Sequence, residues 1–469
     1  MKDNYYQMKN YILIALLLLI VYSCSENGGS GEEELDAPVL VSSTPEDGAT
    51  DVAEGDITIV LSFDQNVTSP SSTHSQVTMA NATITKVIAN LKEVTIEASG
   101  LVESNTYELV IPKGVILGPT KVEAEEIRIS FKTKEPVVLN ITTTLATASP
   151  MVQAQNVYDY LLENYGTKIL SATMSYVSWN INEAEWVNYH TGKYPAIATV
   201  DYIHLDYAPA NWIDYTEISF LENWWDSNGI VSAGWHWNVP ISEGSDENSF
   251  YSSGNSFSAS SAIIDGTWEN EVINADLEEI ADYLLLLQAK NIPLLWRPLH
   301  EASGNYNIQG DAWFWWGNDG AEAYVALWKY MFNYFKDKGL NNLIWVWTTQ
   351  IDDDAFYPGD AYVDIIGRDV YGNSDADDIA EQFTTIQETY PNKMVTMSEF
   401  GNVATISSQW SAGAKWSYFM PWYDNTGVTE TIGSDKFIGT EHASADVDWW
   451  TDAVGNDVVI TRDEVPSLK

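Results

Sequence analysis

The chain has 469 residues, 45% hydrophobic, 13% aromatic and 19% charged, a globular composition too long for one small core, so a large domain with an accessory module is expected. Its 67 acidic against 22 basic residues give a formal charge of −45, which excludes a nucleic-acid partner because the phosphates would be repelled. Twenty tryptophans exceed what packing requires and point to stacking on flat faces such as those of sugar rings.

The N-terminus reads as a targeting segment. Lys2 and Lys9 precede the apolar stretch Tyr11 to Tyr22, too short to span a bilayer and of the size of a signal-peptide core. It runs into Val21-Tyr22-Ser23-Cys24-Ser25, and Cys24 is the only cysteine, so no disulfide forms within the chain. This arrangement resembles a bacterial lipobox. The resemblance implies a signal peptide over residues 1–23, lipid attachment at Cys24 and anchoring in a membrane. The acidic, glycine-rich residues 24–36 read as a flexible tether. They are similar to the signal that sends lipoproteins of the Bacteroides group to the cell surface, which implies a Gram-negative outer-membrane location.

Residues 37–135 are β-type. Ile57 to Phe63, Val94 to Glu97, Tyr107 to Ile111 and Ile127 to Phe131 alternate with period two between Gly, Pro, Asn and Asp turns, the pattern of a β-sandwich. The opening STPEDGATDVAEGDITIVLSFDQNV resembles the bacterial Ig-like domains that serve as spacers in surface proteins. No aromatic cluster is present to grip a sugar, so the module reads as a stalk.

Over residues 136–469 tryptophan and tyrosine rise, and eight strand-like apolar runs appear: 169–175, 196–203, 230–238, 293–301, 342–349, 363–371, 393–400 and 416–422. Helical spacing separates them, clearest over Val272 to Lys290 and Glu322 to Lys338, with Asp311 or Asp319 as the expected cap of the second. Eight strand–helix repeats make a (β/α)8 barrel of the α/β class. The fourth run ends at Glu301 and the seventh at Glu399, and in that fold both carboxylates meet in the mouth at the C-terminal ends of the strands. Two such carboxylates can cleave a glycosidic bond, one as proton donor and the other from the opposite face. Arg297 and Arg368 are placed to keep Glu399 ionised.

WRPLHE (Trp296 to Glu301), WFWWG (Trp313 to Gly317), DIIGRDVYG (Asp364 to Gly372) and MSEFG (Met397 to Gly401) closely resemble the mannanases of glycoside hydrolase family 26. The resemblance implies a configuration-retaining barrel enzyme with Glu301 as acid/base and Glu399 as nucleophile. It implies substrate-binding roles for His236 and Trp235 in GWHWNVP, Arg297, His300, Trp313, Tyr371, and Trp416 in WSYFMPWY. Asp201, His204 and Asp206 end the second run and are further candidates for the cleft wall. One departure stands out: Ala302 to Ala312 separates Glu301 from WFWWG, a longer loop than the family pattern, which bears on substrate choice. The implied substrate is a β-1,4-mannan, glucomannan or galactomannan. The alternatives are a mannobiose-releasing exo-enzyme, a mixed-linkage β-glucanase, a β-1,3-xylanase, or a surface glycan-binding protein without chemistry. No phosphate loop, dinucleotide fingerprint or metal-ligand spacing is present, so no cofactor is expected. Asp352-Asp353-Asp354 is a carboxylate run of the kind that holds calcium or, more commonly, forms a solvated loop.

Overall fold

The computed structural model describes residues 36–176, 178–205 and 211–469. The targeting segment, with Cys24, and Asp206 lie outside the described residues. The chain divides after Pro136 into two compact units.

The first unit is a β-sandwich. One four-stranded sheet runs in the order Leu40–Thr44, Gly55–Phe63, Glu93–Leu101, Thr83–Asn90. The other runs Ala49–Val52, Ile127–Thr133, Thr106–Ile111, Thr78–Met79. Alternation decides which face is buried. Ile59 and Leu61 point into a core completed by Val94, Ile96, Leu109, Ile129 and Phe131, while the residues between them are partly or fully exposed.

The second unit is the barrel. Its eight strands are Ile169–Met174, Ile197–Asp201, Ile230–Trp235, Leu294–Pro298, Leu343–Thr349, Ile365–Tyr371, Met394–Gly401 and Tyr418–Pro421. Each pairs in parallel with the next, and Tyr418↔Leu170 closes the ring. Helices cover the outside, so most strand residues are buried on both faces and the runs are continuously apolar. Trp268–Ala289 is the longest helix among the described residues; the Thr267 hydroxyl accepts the Asn270 N–H at its start, and Ile273, Leu277, Ile280, Leu284 and Leu287 form its buried stripe.

Two local expectations are corrected. The helix Ala321–Asp337 starts at Gly320 without a side-chain cap; Asp319 instead accepts from Ser258 and Ser260, and Asp311 lies farther back in the preceding loop. Between strands five and six the described chain holds only two short 3-10 turns, Asp354–Phe356 and Asp360–Tyr362. The Pro-Gly-Asp sequence there stops a helix from propagating.

Candidate active site

The mouth is organised by Arg297, which points inward from strand four while its neighbour Trp296 points out to the helices. The Arg297 guanidinium donates to Glu399 at 2.8 Å, to Asp369 in a very short bond, and to the Thr348 hydroxyl at 3.0 Å. All three ionised groups are nearly solvent-free. Such a cluster is tolerable only because each charge meets an opposite one with hydrogen-bond geometry.

A bulge brings the carboxylates together. The register between strands six and seven shifts at Arg368/Asp369, so that Asp369 stands opposite Glu399. The shift lets two consecutive residues of strand seven, Ser398 and Glu399, both face the interior. The Ser398 hydroxyl donates to Asp369 at 2.7 Å. Gly367 makes the room: a Cβ there would stand 2.4 Å from the Ser398 oxygen.

One oxygen from each of Glu301, Asp369 and Glu399 lies within 4.8 Å of the others. Three carboxylates this close cannot all ionise freely, and their surroundings separate them. Glu399 receives Arg297 and, at 2.5 Å, the Tyr371 hydroxyl. Burial and Asp369 push its pKa up, while Arg297, Tyr371 and His236 pull it back. Among the described residues Glu301 has no such donor pair. Burial, then the Asp369 and Glu399 charges, hold its carboxyl well above the usual range, and it hydrogen-bonds Asp369. Both carboxyls are raised, Glu301 further, so Glu301 holds its proton more strongly and Glu399, against Arg297, ionises first.

Two histidines line the other side. The Asp201 carboxylate accepts the His236 N–H at 3.1 Å and its Nδ1–H at 2.5 Å, which fixes the ring and turns Nε2 away from Asp201. His300 stacks edge-on at 4.6 Å from His236; burial, Arg297 and His236 hold its pKa well below normal, so the ring is neutral. Its Nδ1 is buried without a hydrogen-bond partner among the described residues. Trp422, just past strand eight, lies 5.6 Å from His236 and lines the same interior. Trp313 is 45% exposed on the loop after Glu301, its ring over Gly304. Tyr251, 53% exposed, stands beside it on a segment tied to that loop by Ser252 N–H to the Trp313 carbonyl at 2.8 Å.

Thus His236, Arg297, His300, Glu301, Tyr371 and Glu399 converge at the mouth, with Trp313 on its rim. Two residues expected to bind substrate do not reach it. Trp235 alternates outward, since Ser232 and Gly234 face the interior, and it stacks at 4.0 Å on Trp237 between sheet and helices. Trp416 is fully buried before strand eight begins, packed on Phe383 with Nε1 donating to Gln409. The aromatic that this segment brings to the mouth is Trp422, six residues later and so roughly 20 Å further along an extended chain. Arg368 also faces outward, to Gln350 and Gln382, whereas Arg297 makes the ion pair with Glu399. Asp369 and Trp422 were missed, although DIIGRDVYG and WSYFMPWY contain them: Asp369 gains meaning only through the bulge, and Trp422 only once the strand ends are placed. His204 is half-buried beside the exposed Trp212, 5.2 Å away, rather than among the carboxylates.

Residues 146–438 match glycosyl hydrolase family 26, and residues 35–133 match a bacterial Ig-like domain. A mannan endo-1,4-β-mannosidase B from Piromyces sp. is 34% identical over 359 residues, 74% of this chain and 58% of that protein. The chain thus spans a little over half the length of this curated relative. Among solved structures, the family 26 domain of an endo-β-mannanase/endo-β-glucanase from Prevotella bryantii is 41% identical, with a TM-score of 0.62 over 69% of this chain and 99% of that one. A β-mannanase from a symbiotic protist of the termite Reticulitermes speratus, solved with a gluco-manno-oligosaccharide, is 34% identical, with a TM-score of 0.59 over 70% of this chain and 99% of that one. With that match and those relatives, and a (β/α)8 unit that carries the paired glutamates, this chain belongs to glycosyl hydrolase family 26, with a bacterial Ig-like domain preceding it in sequence.

Proposed function

We propose that the protein is a retaining endo-β-1,4-mannanase. The observation that carries this reading is the approach of one oxygen of Glu301 to within 4.8 Å of one oxygen of Glu399, in keeping with the ~5 Å separation at which a second carboxylate attacks directly rather than through a water. Glu399, ionised against Arg297 and Tyr371, attacks the anomeric carbon. The glycosidic oxygen leaves with the Glu301 proton, and the sugar becomes esterified to Glu399. Glu301, now a carboxylate, takes a proton from water, whose oxygen displaces Glu399 and restores the original configuration. Neutral His300, with its unpartnered Nδ1, and His236 offer hydrogen bonds to sugar hydroxyls, and Trp422 offers a face for stacking. The exposed Trp313 rim, next to the proton donor, suits sugars on the leaving side. The names of the relatives favour mannan as the polymer.

Glu399→Ala is expected to lose hydrolysis of mannan by about 1,000-fold or more, whereas Glu301→Ala spares aryl glycosides whose leaving groups need no proton. Product lengths on mannan, glucomannan, lichenan and xylan test specificity; release of mannobiose alone, or preference for lichenan or xylan, would overturn the endo-mannanase reading. Equal loss on aryl and polymeric substrates in Glu301→Ala would overturn its role. We further propose, from the lipobox-like sequence, that Cys24 carries a lipid holding the enzyme at the outer membrane, exposed at the cell surface. Cys24→Ser then moves the protein from the membrane fraction to the soluble one; unchanged fractionation refutes the anchor.

A further inference from the structure

The turn that carries Glu301 is strained and gripped at successive peptide groups. Leu299 and Glu301 both sit in left-handed backbone, at φ 48° and 49°, a conformation that side chains other than glycine adopt only where the surroundings force it. The Tyr324 hydroxyl donates to the Leu299 carbonyl at 3.0 Å and Trp316 Nε1 to the His300 carbonyl at 2.9 Å. The Gly304 N–H donates to the carbonyl of Glu301 itself at 2.9 Å. Gly317 presses so close that a Cβ there would stand 1.8 Å from the Ala302 oxygen. The next grip is on a side chain: the buried Ser303 hydroxyl donates to Asp353 at 2.6 Å.

Asp353 belongs to the carboxylate run after strand five, and it is neither a solvated residue nor arranged as a cation ligand. It is buried, and it also accepts the Thr349 hydroxyl at 2.5 Å and the Gln350 N–H at 2.9 Å. Its loop is strained in turn, with Ile351 and Asp352 at φ 65° and 55°. A carboxylate taken out of water needs such donors to be tolerated, and here two of the three hold its own loop while the third holds the turn of Glu301. The two strained loops thus meet at one carboxyl group, which belongs to neither face of the carboxylate cluster around Arg297.

We infer that Asp353 is a positioning residue for the proton donor: through Ser303 it fixes the turn after strand four and with it the direction of the Glu301 carboxyl. The inference rests on the hydrolase reading. The test compares kcat/KM on mannan, whose leaving sugar needs a proton, with kcat/KM on a dinitrophenyl β-mannobioside, whose leaving group does not. Asp353→Ala should lower the first about tenfold more than the second, because a displaced acid forfeits part of a large acid-catalysis factor. Ser303→Ala, which leaves Asp353 its other two donors, should shift the ratio the same way, and it decides the matter if Asp353→Ala does not fold. Asp353→Asn keeps an oxygen for Ser303 and should restore the wild-type ratio. A loss equal on both substrates in the Ala variants, or a ratio equally disturbed by Asn, overturns the inference. Wild-type protein that cleaves neither substrate overturns the hydrolase reading instead.

Discussion

Where the barrel strands begin, Ile169, Ile197, Ile230, Leu294, Leu343, Ile365 and Met394 are all apolar and buried. Where they finish, Asp201, His236, Arg297, Asp369, Ser398 and Glu399 crowd the same ring of backbone with polar and charged groups that are almost as inaccessible. The starting end gains stability from every side chain it buries. The finishing end must offset the desolvation of its charges pair by pair, and it leaves some atoms, such as His300 Nδ1, without a partner. One scaffold therefore holds a region built for packing against a region whose packing is compromised by chemistry, and substitutions at the two ends should fail in different ways.

The sharpest break is at Arg297. Arg297→Met strips the counter-charge from Asp369 and Glu399 together, and removing one partner of a buried pair costs about 3–5 kcal/mol. Denaturant unfolding should show that loss together with near-complete loss of activity; a variant of wild-type stability would mean the cluster is more hydrated than its burial implies. The two tryptophans of the last strand segment separate the ends within seven residues. Trp416→Ala should cost about 3–5 kcal/mol as a core cavity and leave KM nearly unchanged. Trp422→Ala should instead cost about tenfold in kcat/KM with little change in melting temperature. If the two phenotypes were exchanged, the assignment of the mouth would be wrong.

The smallest effect has the opposite sign. Burial and neighbouring charge raise the folded-state pKa of Glu301 above its unfolded value. Its contribution to stability is therefore fully present below the unfolded pKa, about 4.3, and is lost as pH rises through the elevated folded value. Glu301→Gln does not titrate, so it should melt higher than wild type at pH 8 and show no such advantage at pH 4. Melting curves at the two pH values check this, and a variant less stable than wild type at pH 8 contradicts it. If Glu301 is the proton donor as proposed, kcat/KM on mannan should fall as pH rises through its elevated pKa.

Much of this contrast could be read before the chain was folded. Eight apolar runs broken by helical spacing fix the barrel, because strands buried on both faces leave no alternation to confuse them with exposed ones. A glutamate at the end of run four and another at the end of run seven then have one place to go. Trp416 and Trp422 show where that reading stops. Both are tryptophans in one short segment, and only the observed limits of the strand, Tyr418–Pro421, put one in the core and the other in the mouth. Arg297 and Arg368 differ in the same way, by the direction in which alternation turns them.

The sequence alone determined the order of the elements, the two chain units and the pair of glutamates, since periodicity and strand-end position are local properties. Only the tertiary structure decided which neighbours tune the two carboxyls, that Asp369 joins the pair, and that Asp353 grips the turn of Glu301. Those outcomes depend on a one-residue bulge and on side chains that approach from strands far apart in the chain, and burial and charge act through distance in space, which no linear spacing records.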